Sequence, residues 1–125
     1  FNYRLDGLGR HLDLLAGFGM SPDELELARR LQLNDSFCGS VAASCRPLAA
    51  DAVRIDHDPK AAFIRAMGVR AYACHPLVVS GGQTLGTISF ASRRRASFAP
   101  AEVEFLQAIC HLVALAWERL RADRA

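Results

Sequence analysis

The run from Val69 to Phe90 constrains this chain most. Val69-Arg-Ala-Tyr-Ala-Cys-His-Pro-Leu-Val-Val79 is apolar along almost its whole length and reads as a buried strand. Ser80-Gly81-Gly82-Gln83 is a tight turn, and Thr84-Leu-Gly-Thr-Ile-Ser-Phe90 is the returning strand. A Gly-Gly pair supplies the positive φ that a two-residue hairpin turn needs, so the two runs are expected to pair antiparallel. A central hairpin of this kind demands a sheet around it. The run itself carries no catalytic signature.

The flanks supply the rest of the sheet. Phe1-Asn-Tyr-Arg-Leu-Asp6 alternates apolar and polar residues, placing Phe1, Tyr3 and Leu5 on one strand face. Gly7 and Gly9 form a turn, and His11 to Ala16 is the partner strand. Ser21-Pro22-Asp23-Glu24 opens a short helix to about Arg30, with a capping serine and an acid three residues on. Leu31 to Leu33 is extended, Ser36 caps a second helix through Ser44, and Arg46-Pro47 ends it. Leu48 to Val53 is predicted to be extended. Asp58 caps a third helix whose buried face is Ala62, Phe63, Ala66 and Met67 and whose stop is Gly68. Antiparallel hairpins interleaved with helices define an α+β architecture.

After Arg93-Arg94-Arg95, read as a solvated loop, residues 99–122 form the last helix. Val103, Leu106, Cys110, Val113, Trp117 and Leu120 recur at steps of three and four over nearly three heptads. Phe105, Ile109, Leu112 and Ala116 make a second stripe beside them. One stripe can pack on the sheet while the other meets a partner helix. The intact heptad favours the first stripe for a homodimer or continuing coiled coil, and a helix half-buried in its own domain is the alternative.

Composition narrows the class of function. The chain has 125 residues, 51% of them hydrophobic, which suits one domain spanning 1–125. A net charge of +2, with no aromatic residues among the arginines, does not suit a nucleic-acid platform. No apolar run reaches the ~20 residues of a membrane span, so no membrane contact is expected and the setting is read as cytoplasmic. Phe1 is not a natural start, so the chain is expected to be part of a longer protein. Cys38, Cys45, Cys74 and Cys110 match neither a zinc framework nor a Cys-x-x-Cys pair, and read as free thiols. Asp56-His57-Asp58 reads as a helix start, so no metal site is expected. Phosphate loops, nucleophile elbows and zinc-protease motifs do not occur.

Five segments in order carry a resemblance: Phe37-Cys-Gly-Ser-Val-Ala42, Arg46-Pro-Leu48, Gly68-Val-Arg-Ala-Tyr-Ala-Cys-His-Pro-Leu77, the hairpin Gly82 to Phe90, and Phe98-Ala-Pro-Ala-Glu102. Together they resemble a GAF domain, most of all those found beside PAS domains in bacterial sensor histidine kinases. The resemblance implies a central antiparallel sheet. Terminal helices would pack on one face, and a pocket walled by short helices and loops would lie on the other. It also implies an N-terminal helix upstream of Phe1, neighbouring PAS or kinase domains, and a signalling role for the last helix. Family geometry makes Phe37, Cys38, Val41, Asp51, Phe63, Tyr72, Cys74 and His75 the candidate pocket residues. The family's ligands are too varied for the resemblance to imply a particular cofactor.

Family chemistry offers two enzymatic or covalent alternatives. Cys38-Gly39 matches the Cys-Gly step of the branch that reduces free methionine sulfoxide, but Lys60 to Met67 lacks that branch's nucleophilic cysteine. Cys74-His75 resembles a bilin-attachment pair, yet Pro76 and the alternating strand give it the wrong context. Cys38, close to a helix N-terminus, remains a candidate redox sensor. The expectation is therefore a regulatory, ligand-binding domain without catalysis of its own. A dimerisation module with no ligand is the alternative.

Overall fold

The alternation at the chain's start becomes strand β1 (Asn2–Leu5), paired antiparallel with β2 (His11–Ala16). The computed structural model describes residues 1–6 and 9–124; the expected turn residue Gly7 lies outside them. Helix α1 (Pro22–Ala28) starts as the sequence requires: the Ser21 hydroxyl accepts from the Glu24 amide while the Glu24 carboxylate accepts from the Ser21 amide. Strand β3 (Arg30–Gln32) then returns along β2. Helix α2 (Phe37–Ser44) is capped by Ser36, whose hydroxyl accepts from the Gly39 amide at 3.0 Å. Strand β4 (Leu48–Ala50) follows.

The chain departs from expectation next. The segment expected to stay extended to Val53 turns at Asp51, whose carboxylate accepts from the Arg54 amide and opens helix α3 (Ala52–His57). Asp58 then caps a 3-10 turn, Pro59–Ala61, which runs into helix α4 (Ala62–Ala66). Strands β5 (Ala71–Val78) and β6 (Thr84–Ser92) make the central hairpin. Val79 and Gln83 are bonded across it, so the loop has one residue more than the expected two. Gly81 and Gly82 carry its positive φ values, +89° and +80°. The last helix, α5, spans Pro100–Arg124.

The six strands lie in the order β3-β2-β1-β6-β5-β4, each antiparallel to its neighbours. The two predicted hairpins thus join through β1 and β6 into one sheet. Its two faces carry different layers. Tyr3, Leu12, Phe37, Val41, Ile55, Ile64 and Tyr72 form the main core, under the short helices. Cys110 and Ala114 of α5 pack on Leu77 against the opposite face.

Arg93 does more than solvate a loop. Its guanidinium donates to the Met67 carbonyl (2.8 Å), the Gly19 carbonyl (2.9 Å) and both Glu24 oxygens. One side chain therefore ties α1 and the end of α4 to the end of β6. Because this site is partly solvated, Arg93→Ala is expected to cost about 1 kcal/mol. Thermal denaturation should show it as a fall of roughly 3–6 °C. Arg94→Ala, at a side chain without such ties among the described residues, serves as the reference.

Candidate functional site

Strand β5 puts its side chains alternately on the two faces of the sheet, and this decides which candidates meet. Tyr72 and Cys74 point into the core beneath α2; Ala73, His75 and Leu77 point toward α5. Phe37, Cys38, Val41, Tyr72 and Cys74 come together as one buried group, and Phe63 packs at its edge. Asp51 stands apart as the exposed cap of α3, and His75 lies across the sheet from the others.

Cys38 is at the centre of the group. Its Sγ lies 2.6 Å from Tyr72 Oη, 3.9 Å from Cys74 Sγ and 3.9 Å from Ser89 Oγ. The position follows from local sequence. Ser36 caps α2, so Cys38 falls in its first turn, facing the β5–β6 floor. Gly39 lets the helix press against the Gln32 and Leu33 carbonyls, which a Cβ would strike. Hydrogen bonding from Cys74 is the largest influence on the Cys38 thiol. With help from the Tyr72 and Ser89 hydroxyls it outweighs burial and draws the thiol down to about 7. Cys74 goes the other way, raised by burial first and by the neighbouring Cys38 next. Burial likewise raises Tyr72. The arrangement is an acidified thiol held by a neutral thiol and two hydroxyls. The Phe37 and Tyr72 rings, 5.7 Å apart, fill the space around it.

His75 is 2% exposed, and neither ring nitrogen finds a partner among the described residues. Burial lowers its pKa below 6.5, so the ring is neutral at pH 7. The unfolded chain then binds this proton more readily than the folded one. Stability owed to the neutral ring is complete above pH ~6.5 and is lost as pH falls through the folded value. Urea denaturation is therefore expected to give a smaller unfolding free energy at about pH 5.5 than at about pH 7.5. In His75→Phe that difference should shrink; an unchanged pH difference would place the titration elsewhere.

Helix α5 packs the stripe expected to meet a partner against its own sheet. Val103, Leu106, Cys110, Val113 and Trp117, expected to meet a partner, are turned inward; Cys110 and Ala114 are each 2% exposed. Small side chains there let the helix approach Leu77, while Val113 and Trp117 flank the contact. Of the expected dimer stripe only Leu120 is exposed, at 56%. The outward face carries Phe105 (66% exposed), Leu112 (66%) and Leu115 (49%). Both stripes are apolar at helical spacing, so periodicity alone could not say which one the sheet takes.

Two cavities lie away from the Cys38 group. A groove of about 1000 Å³ runs between β1–β2 and the end of α5, past Asp13, Leu85, Trp117 and Arg121. A smaller one, about 240 Å³, lies under α5 against His75, Gln107 and His111. Among the described residues, no three His, Cys, Asp or Glu side chains are placed to hold a metal ion. No described helix is long and apolar enough to cross a membrane.

A model of the GAF domain family matches residues 3–117, and the chain belongs to that family. No curated protein matches it. Among solved structures, one GAF domain superposes with a TM-score of 0.68 at 17% identity, covering 90% of this chain and 60% of that one. A domain assigned to a two-component sensor histidine kinase of Sinorhizobium meliloti 1021 gives 0.73 at 17%, covering 98% and 80%. The free methionine-R-sulfoxide reductase of Neisseria meningitidis, solved with its substrate, gives 0.75 at 17%, covering 98% and 68%. At these identities the likeness is one of fold. The α+β sheet described above is the GAF fold, a regulatory and sensory one, and it has also been put to catalysis.

Proposed function

We propose that this chain is the cytoplasmic regulatory domain of a bacterial signal-transduction protein of the sensor histidine kinase kind. It relays the state of its α2-side core to a dimerising α5 and has no catalysis of its own. The observation that carries this reading is the outward face of α5. Phe105, Ala108, Leu112 and Leu115 repeat at steps of three and four, a coiled-coil seam left uncovered by the sheet. The relay runs through β5, where Cys74 touches the α2 side and His75 and Leu77 touch α5, so a shift on one face is felt on the other. The sensor-kinase neighbour supports a kinase domain as a chain partner. Sedimentation velocity of the wild-type domain tests the reading: a concentration-dependent dimer is expected, and a monomer at every concentration overturns it.

A second reading, small-molecule sensing at the α2 face, is favoured by the convergence of the Cys38, Tyr72, Cys74 and Ser89 polar atoms under α2. A ligand there requires the Phe37 and Tyr72 rings to part. Native mass spectrometry of the freshly purified domain tests it through a retained extra mass.

A further inference from the structure

We propose that Cys38 and Cys74 are a dithiol couple, oxidised by hydrogen peroxide to a disulfide that draws α2 onto β5. The two sulfurs are already 3.9 Å apart in the core, and a disulfide needs ~2.05 Å. No other pairing competes. Cys110 belongs to α5 and packs on the opposite face of the sheet, and Cys45 is exposed beyond α2 with its sulfur against the Thr84 hydroxyl. The two thiols are also unequal, as an attacking and a resolving thiol must be. Cys38 sits in the first turn of α2 with the Cys74 thiol and the Tyr72 and Ser89 hydroxyls around it, groups that can each donate to a thiolate. Cys74 is held neutral. Both are buried, so the oxidant must be as small as hydrogen peroxide, entering by local opening of the short α2.

The chemistry balances without any further reagent. The Cys38 thiolate attacks one peroxide oxygen; the O–O bond breaks, Cys38 becomes a sulfenic acid, and hydroxide leaves with the thiol's former proton as water. Cys74 sulfur then attacks the sulfenic sulfur. The S–S bond forms, the S–O bond breaks, and hydroxide departs with the Cys74 proton as a second water. Two thiols lose two electrons and one peroxide gains them. The sulfurs close by about 2 Å, and Tyr72 Oη loses its thiol partner. The relay proposed above would carry that movement to α5, but the chemistry of the couple does not depend on it.

The test uses a Cys45→Ser background, which removes the exposed thiol. Peroxide treatment of the folded protein should lower the intact mass by two hydrogens and link the peptides carrying Cys38 and Cys74. Dithiothreitol should reverse both changes. With Cys74→Ser added, Cys38 should stop at a sulfenic acid that a cyclic diketone captures; with Cys38→Ser added, Cys74 should stay unreacted. Circular dichroism checks that each variant is folded, and should a double variant not fold, the Cys45→Ser result decides alone. Added oxygen without linkage overturns the proposal. Linkage of either thiol to Cys110 does so too, as does survival of both free thiols until the protein is denatured. Sedimentation of the reduced and oxidised samples separates this question from dimerisation: a monomer that forms the disulfide sinks only the proposed function, and a dimer that does not sinks only the couple.

Discussion

Gly86→Ala is expected to cost about 3 kcal/mol or more of folding stability. Gly86 lies on β6 hard against β1. It sits opposite Arg4, and an added methyl group would overlap the Tyr3 carbonyl oxygen and press on the Arg4 Cα at 3.1 Å. Those are backbone atoms, so no side-chain rotation relieves the clash and β1 itself has to move. Strand β1 is the bridge between the two hairpins, and Tyr3 within it is fully buried, its hydroxyl donating to the Ala28 carbonyl at 2.7 Å. A shift of β1 therefore disturbs the ladder to β6, the packing of Tyr3 and the anchor of α1 together. Urea denaturation measures the loss. Gly82→Ala separates crowding from backbone strain: its φ is +80° but nothing lies within reach of an added Cβ. That variant should lose only about 1 kcal/mol. Equal losses in the two variants would mean that β1 and β6 cross less closely than these distances require.

The contrast between those glycines shows what is legible in the chain. The Gly81-Gly82 turn is a local matter, since a glycine pair between two apolar runs is there to supply a positive φ. The same holds for the caps at Ser21 and Ser36 and the stop at Gly68, each decided within four residues. Gly86 looks like one more strand residue, because its reason is a strand more than eighty positions away in sequence. Helix α3 escapes a sequence reading for a different cause. Ala50 ends a strand and Asp51 caps a helix at the very next position, leaving none of the polar spacing that usually marks such a boundary. At the site, Cys38 and Cys74 can both be nominated, yet no spacing rule joins thiols 36 positions apart; α2 folding over β5 does that. The placement of His75 is available in principle. Strand alternation separates it from Tyr72 and Cys74, whereas family geometry alone groups the three.

Leu112→Glu should convert the dimer proposed above to a monomer while leaving the fold intact. Leu112 is at the middle of the outward seam of α5, 66% exposed in the single chain, so the substitution disturbs nothing the monomer buries. The unfolding free energy of the monomer should then change by about 0.5 kcal/mol or less. In a two-fold dimer the change occurs twice, once per copy, and each copy replaces a buried leucine with a carboxylate that must stay hydrated. A loss of about 3 kcal/mol in all is a conservative expectation, and it corresponds to a dissociation constant raised roughly a hundredfold. Sedimentation velocity reads that change directly. Val113→Glu is the informative comparison, one residue away but on the face that carries Cys110 and Ala114 and is turned toward Leu77. It places a carboxylate against the sheet and should lower the melting temperature of the domain itself. If the heptad stripe read from the sequence were the dimer seam, the two variants would exchange phenotypes. Val113→Glu would dissociate a well-folded dimer and Leu112→Glu would leave it assembled. The pair therefore decides which side of α5 a partner helix would meet.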